Sequence, residues 1–405
     1  MSTPVGSATV TIASISEGRR WGMLAASTFA QAAAVVANNG VAYLVPALHR
    51  DDHYSLPTAG AIVAAPSFGV MAALVAWGWL ADHRGERVVL LAGLAATAAF
   101  SAAATQTHAT PALWLMLFLA GAGSAAANSA SGRVVVGWFP PQRRGLAMGI
   151  RQMGQPMGMA IAAVAIALVA AHHGVHAALW VPAIATLAAA AIVAVVVIDP
   201  PRPPKKVGRA AAAENPYRQD RYLARIHGVS VLLVVPQFVV GTFMLLWLTD
   251  SRGWSTGAAG ALVAVANILG ALGRIAAGHL SDVVDSRMRP LQWVAIAACA
   301  AMILLGITAG LDLFVAAPLI VLASVLSVAD NGLAFTAVAE RAGAYWSGRA
   351  LGVQNTAQFL TAALVGPIGG WSITQLGYAW TYVLTGLLPL LAIGLVPVHG
   401  ERRDD

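Results

Sequence analysis

Long apolar runs alternate with short clusters of charge along the whole chain. The runs fall at about 21–46, 57–81, 88–107, 111–137, 146–171, 177–198, 226–249, 257–281, 291–311, 313–338, 349–375 and 379–398. Each is close to the ~20 residues that a helix needs to cross ~30 Å of hydrocarbon. In lipid a backbone must satisfy its own polar groups, so unbroken runs of this length read as helices and not as strands. The pattern predicts an all-α integral membrane protein of twelve transmembrane helices.

Two cytoplasmic-type turns repeat one another. Gly78-Trp79-Leu80-Ala81-Asp82-His83-Arg84-Gly85-Glu86-Arg87 is followed 200 residues later by Gly278-His279-Leu280-Ser281-Asp282-Val283-Val284-Asp285-Ser286-Arg287. Further along, Ala147-Met148-Gly149-Ile150-Arg151-Gln152 with Gln155 aligns with Ala350-Leu351-Gly352-Val353-Gln354-Asn355 with Gln358, and Asn128 aligns with Asn331. Parallel repeats of this kind predict two six-helix bundles related by pseudo-two-fold symmetry, the build of a secondary transporter with its site between the halves. The expected division is 1–198 for the first bundle, 199–225 for a Pro- and Lys/Arg-rich cytosolic linker, and 226–405 for the second.

Composition agrees: 58% of residues are hydrophobic, 10% are charged, and mean hydropathy is +0.72. The net charge of +7 is a matter of topology and not of nucleic-acid binding. Of 24 Lys and Arg, all but Arg50, Arg252, Arg133, Arg151 and Arg274 fall in the N-terminus, the even-numbered turns, the central loop or the C-terminus. That excess places both termini in the cytosol of a multi-pass inner-membrane protein. Residues 1–18 lack a basic n-region, so the first run is expected to remain as a helix. The lone Cys299 allows no internal disulfide and no cysteine metal site. His172, His173 and His176 have no acid beside them and read as interface, so no metal and no cofactor are expected. No Walker loop, nucleophile elbow or Rossmann fingerprint occurs, which argues against an enzyme.

Polar residues inside apolar runs are costly and mark function by default. Arg274 lies about two turns inside the eighth run, and Asp330, the one carboxylate deep in a run, lies at similar depth in the tenth. They form either a substrate and proton-coupling pair or a structural ion pair. An arginine suits an anion because its planar fork takes a carboxylate bidentately. Arg151, Gln152 and Gln155 on the fifth run, Asn128 on the fourth, Asn38, Asn39 and Tyr43 on the first and Gln237 on the seventh are candidate cavity residues. Arg133 is expected to snorkel to the interface.

The helix count, the central basic loop, the duplication and the Gly-x-Leu-Ala-Asp-x-x-Gly-x-Arg turn together resemble the major facilitator superfamily over essentially the whole chain. The resemblance implies that Asp82 and Asp282 act as gates at the cytoplasmic side, with Arg144 and Arg349 as natural partners. Gly273-Arg274-Ile275-Ala276-Ala277-Gly278 resembles the eighth helix of monocarboxylate and oxalate–formate porters, whose matching arginine holds the substrate carboxylate. Trp138-Phe139-Pro140…Arg143-Arg144-Gly145-Leu146-Ala147-Met148-Gly149 with Gly154-x-Pro156-x-Gly158 resembles the same group and cyanate-permease-like proteins. There are departures: Gly270 stands where those porters place an acid, their first-helix lysine has no counterpart, and Asp285 replaces a glycine. The expectation is a monomeric secondary transporter of a small, carboxylate-like solute, coupled to protons. The alternative is a proton-driven exporter of drugs or amphipathic compounds, against which Leu117 stands where such exporters usually carry an arginine.

Overall fold

The computed structural model describes residues 15–50, 54–201 and 215–401, and no strand occurs among them. The linker's Arg202, Lys205, Lys206 and Arg209 lie outside the described residues. Twelve helical segments follow one another among the described residues, and nine helices are long and apolar enough to cross a membrane. The first half holds α1 (Glu17–Asn38, extended by the turns Gly40–Leu44 and Val45–Arg50), α2 (Leu56–Arg84), α3 (Glu86–Ala104), α4 (Thr110–Trp138), α5 (Pro141–Arg151 and the start of Gly154–Ala178) and α6 (Trp180–Val196). The second half holds α7 (Tyr222–Leu246), α8 (Thr256–Val283), α9 (Met288–Gly310), α10 (Ala316–Ala342), and α11 and α12, the two parts of Ser347–Leu395. Together they form two six-helix bundles.

Local chemistry sets the ends. Ser16 and Ser255 accept from the backbone N–H groups of Arg19 and Ala258 and so start α1 and α8. The α5–α6 and α11–α12 corners break at Gly174 (φ 80°) and Gly377 (φ 78°), a left-handed conformation that glycine adopts without strain. Gly85 (φ 101°) ends α2, and Asp285 takes the left-handed region (φ 52°) at the corresponding place after α8. Asp tolerates that conformation better than most side chains, which accounts for its standing where a glycine is expected. Helix α1 is the least apolar of the long helices: Glu17, Arg19 and Arg20 open it, and Gln31 and Asn38 are buried along it.

The start of α1, the segment ending at Glu401 and the α2–α3, α8–α9 and α10–α11 turns share one face, here the terminal face: Glu17 pairs with Arg143, and Glu401 accepts from Ser286. There the bundles meet backbone to backbone. A Cβ on Gly78 would sit 2.3 Å from the Gly348 oxygen, and one on Gly145 would sit 2.2 Å from the Gly278 oxygen. These two crossings, α2 on α11 and α5 on α8, are the same contact made once by each repeat. Small residues are what let membrane helices approach this closely. Gly78→Ala should therefore hold the terminal face partly open. In a Cys299→Ser background, a cysteine at the buried Ser347 should react with a permeant maleimide at least about fivefold faster, equivalent to ~1 kcal/mol; an unchanged rate would show that the crossing does not govern closure.

Candidate functional site

Each glycine crossing is locked by a carboxylate from the opposite bundle. Asp82, at the end of α2, accepts from the Gly348 and Arg349 backbone N–H groups at 2.8 and 3.1 Å and from Arg349 Nε at 2.9 Å. Asp282, at the end of α8, accepts from the Gly145 and Leu146 N–H groups at 2.9 and 2.8 Å. Both acids thus sit on the amino ends of helices, where the exposed N–H groups and the dipole favour negative charge. Arg349 pairs with Asp82 and lies over the Trp346 ring at 3.7 Å. Arg144 does not pair with Asp282: it donates to the Phe139 carbonyl at 2.9 Å and lies 3.4 Å from Glu340. Asp282 pairs with Arg287 instead, at 2.5 Å. Burial alone would lower the Arg287 guanidinium, but the carboxylates of Glu340 and Asp282 outweigh it and raise it above its ordinary value.

Arg133 does not snorkel. It is buried, its Nε lies 3.5 Å from buried Glu86, and it donates across the bundle boundary to the Ala344 carbonyl. A charge one turn from a helix end can reach the interface, but here a buried acid and a foreign carbonyl hold it inside. Arg133 and Ala344 line a recess on the terminal face with Arg144, Arg287 and Glu340, and none of these residues lines the cavity between the bundles.

Above the gate, between the bundles, lies a polar cavity. Gln31, Asn38 and Asn39 of α1, Asn128 of α4, Arg151, Gln152 and Gln155 of α5, and Gln237 of α7 reach it, with Asn331, Asn355 and Gln358 from α10 and α11. Phe238, Phe335 and Phe359 supply its apolar walls. Sequence reasoning named seven of these residues as a candidate site: Asn38, Asn39, Asn128, Arg151, Gln152, Gln155 and Gln237. It missed Gln31, although Gln31 stands two turns before Asn38 on the same helix face. It also missed Asn331 and Gln358 as site residues, although both were visible as repeats of Asn128 and Gln155.

Two expected residues lie elsewhere. Tyr43 packs into the apolar core of the first bundle with Val41, Leu44 and Ile166 and does not line the cavity. Arg274 is also absent from the lining; its Nη1 donates to the Gln152 backbone carbonyl at 3.0 Å. That carbonyl is free because its helical partner would be the N–H of residue 156, and Pro156 has none. Nor do Arg274 and Asp330 form a closed ion pair. Asp330 is fully buried, no other side chain hydrogen-bonds to its carboxylate, and the side-chain charge acting on it is that of Arg274.

Arg151 is the cavity's one charged residue among those described. It is 1% exposed, donates through Nε to Ser131 Oγ at 2.9 Å and through Nη1 to Gln152 Oε1 at 3.0 Å, and has the Phe335 ring 6.0 Å away. No acid is paired with it. Its counterpart in the second repeat, Gln354, faces away and bonds to His227 and Ser230.

The family model described as Major Facilitator Superfamily matches residues 27–366. The chain is 45% identical, over 94% of its length and 86% of the relative's, to an uncharacterized MFS-type transporter of Mycobacterium tuberculosis. It is 23% identical to a hexuronate transporter of Bacillus subtilis over 59% of each chain. Its fold is similar to that of a proton:xylose symporter (TM-score 0.73, 15% identity, 94% and 95% covered) and of the E. coli fucose:proton symporter (TM-score 0.71, 16% identity, 94% and 98% covered). The chain belongs to the major facilitator superfamily and is a multi-pass membrane protein.

The Arg274–Gln152 bond crosses the bundle boundary, so it favours the state with the terminal face shut. Pro156→Ala would return an N–H that competes for the Gln152 carbonyl. A charge-assisted bond contributes ~1.5–3 kcal/mol, and a partial loss should raise modification of a cysteine at Ser347 severalfold. No change in reactivity would remove Arg274 from the latch.

Proposed function

We propose that this member of the major facilitator superfamily carries a small organic anion across the inner membrane by alternating access, coupled to protons, with both termini in the cytosol. One observation carries the reading: Arg151 faces the central cavity, buried and without an acid beside it. A buried cation needs a counter-charge, and a solute carboxylate would provide it. The charge count agrees. Among the described residues deep in the helices, Arg151 and Arg274 stand against Asp330 alone, leaving one positive charge unbalanced when Asp330 is ionised and two when it is protonated. The ring of amides then orients the solute through directional bonds that add no charge. The relative named as a hexuronate transporter handles a solute of this kind. A drug exporter has less to support it here, since the walls are mostly amide.

Coupling would run through Arg274 and Asp330. While the terminal face is shut, Gln152 holds Arg274 and Asp330 carries the proton. When the bundles part on that face, the guanidinium leaves the first bundle, pairs with Asp330 and drives the proton out. The excess of Lys and Arg on the terminal face supports its cytosolic placement.

The test is uptake into proteoliposomes across a panel of organic acids, with and without an inward proton gradient. Arg151→Gln should weaken the transported acid by about 10- to 150-fold, the equivalent of ~1.5–3 kcal/mol. Asp330→Asn should abolish gradient-driven accumulation while solute exchange persists. Unchanged affinity in Arg151→Gln would end the anion reading, and full accumulation in Asp330→Asn would end the coupling role.

A further inference from the structure

The two repeats build similar amide clusters in the cavity but finish them differently. In the second bundle the cluster is closed: Asn331 Nδ2 donates to Gln237 Oε1 and Gln358 Nε2 donates to Asn331 Oδ1, both at 3.0 Å. In the first bundle, Gln31 Nε2 donates to Asn128 Oδ1 at 2.8 Å, and there the chain stops. Gln31 Oε1 is buried with no partner, and Gln31 as a residue is 6% exposed. Gln155, the counterpart of Gln358, does not reach across to close the cluster.

Nor can Gln31 easily turn to find a partner. A Cβ on Gly154 would lie 2.9 Å from both its Cβ and its Cγ, so the start of the second α5 segment presses directly on its stem. The crowded stem and the bond to Asn128 together hold the open amide end in place. An unmade bond at a buried polar atom costs ~1–3 kcal/mol, which a ligand can recover by supplying the missing group. The group best suited is a hydroxyl, which donates to an amide oxygen and equally accepts from an amide nitrogen, whichever end of the side chain faces it.

Arg151 lines the same half of the cavity and keeps Nη2 free of protein partners after Nε and Nη1 are used. Phe238, Phe335 and Phe359 offer flat apolar surfaces opposite. We infer that the transported solute is a hydroxylated organic anion, a sugar acid or hydroxy acid, whose carboxylate meets Arg151 and whose hydroxyl completes the Gln31–Asn128 pair. This rests on the assignment of Arg151 as the anion anchor and adds the residue that reads the rest of the molecule.

Binding of matched ligands to the purified full-length protein separates the two claims. D-glucuronate carries a carboxylate and hydroxyls, cyclohexanecarboxylate only the carboxylate, and D-glucose only hydroxyls; lactate against propionate repeats the comparison for a smaller solute. At least one hydroxylated anion should bind about tenfold or more tightly than its deoxy partner and than glucose. In Gln31→Met that preference over the deoxy partner should collapse toward unity. The comparison on the native protein decides the matter even where the variant fails to fold. Equal binding of the hydroxylated and deoxy acids, or no binding of either hydroxylated anion, would overturn the role of Gln31 while leaving Arg151 as an anion site. Glucose binding as tightly as glucuronate would overturn the anion reading itself.

Discussion

Two carboxylates seated on the amino ends of helices from the opposite bundle are the constraint on which the rest of the structure turns. Asp82 caps α11 through the first-turn N–H groups of Gly348 and Arg349, and Asp282 accepts from Gly145 and Leu146 in the second turn of α5. They can do so only because glycine pairs let the backbones touch at both crossings. Closure, capping and close approach are thus one event made twice. A helix end that gains its cap only in one arrangement of the bundles gives that arrangement a defined energy minimum.

The site is made by breaking the repeat where the gate keeps it. Gln155 and Gln358 occupy equivalent places, as do Asn128 and Asn331, and all four reach the cavity. Yet Arg151 faces the cavity where Gln354 turns away to His227, and the amide cluster closes in one half and stays open in the other. Symmetry supplies two rigid bodies that can rock, and its local failure supplies the charge and the open bond that a solute can answer. Proline plays a comparable part. Pro156 withholds an N–H, and the carbonyl it frees becomes the point at which α8 holds α5.

Much of this was legible in the chain. Apolar runs near twenty residues and a turn repeated at 200 are long-range signals that survive errors of a few residues at each helix end. Polar side chains inside those runs also stood out, which is why Arg151, Asn128, Gln155 and Gln237 were found. What sequence could not supply was rotation about a helix axis. Sequence placed Arg274 about two turns inside its helix, but successive residues point 100° apart, and its side chain runs to the Gln152 backbone carbonyl instead of lining the cavity. Partner choice was hidden for a similar reason. Arg287 reads as an ordinary turn residue until the end of α5 is seen opposite Asp282. The phenylalanine walls were invisible because an aromatic facing a cavity looks, in sequence, like one facing lipid.

The account stands or falls on reciprocal motion of the two faces, and pairs of spin labels measure it directly. One pair, at the exposed Gln142 and Arg289, spans the terminal face, and the other, at the exposed Ala61 and Ala261, spans the opposite face. Distances would be recorded in the membrane by pulsed electron resonance with and without transported solute at low pH. Alternating access predicts that the first pair lengthens as the second shortens, and that Asp82→Asn shifts both populations in that same sense without solute. Distances that stay fixed, or that lengthen together on both faces, would contradict a gate built on these two carboxylates.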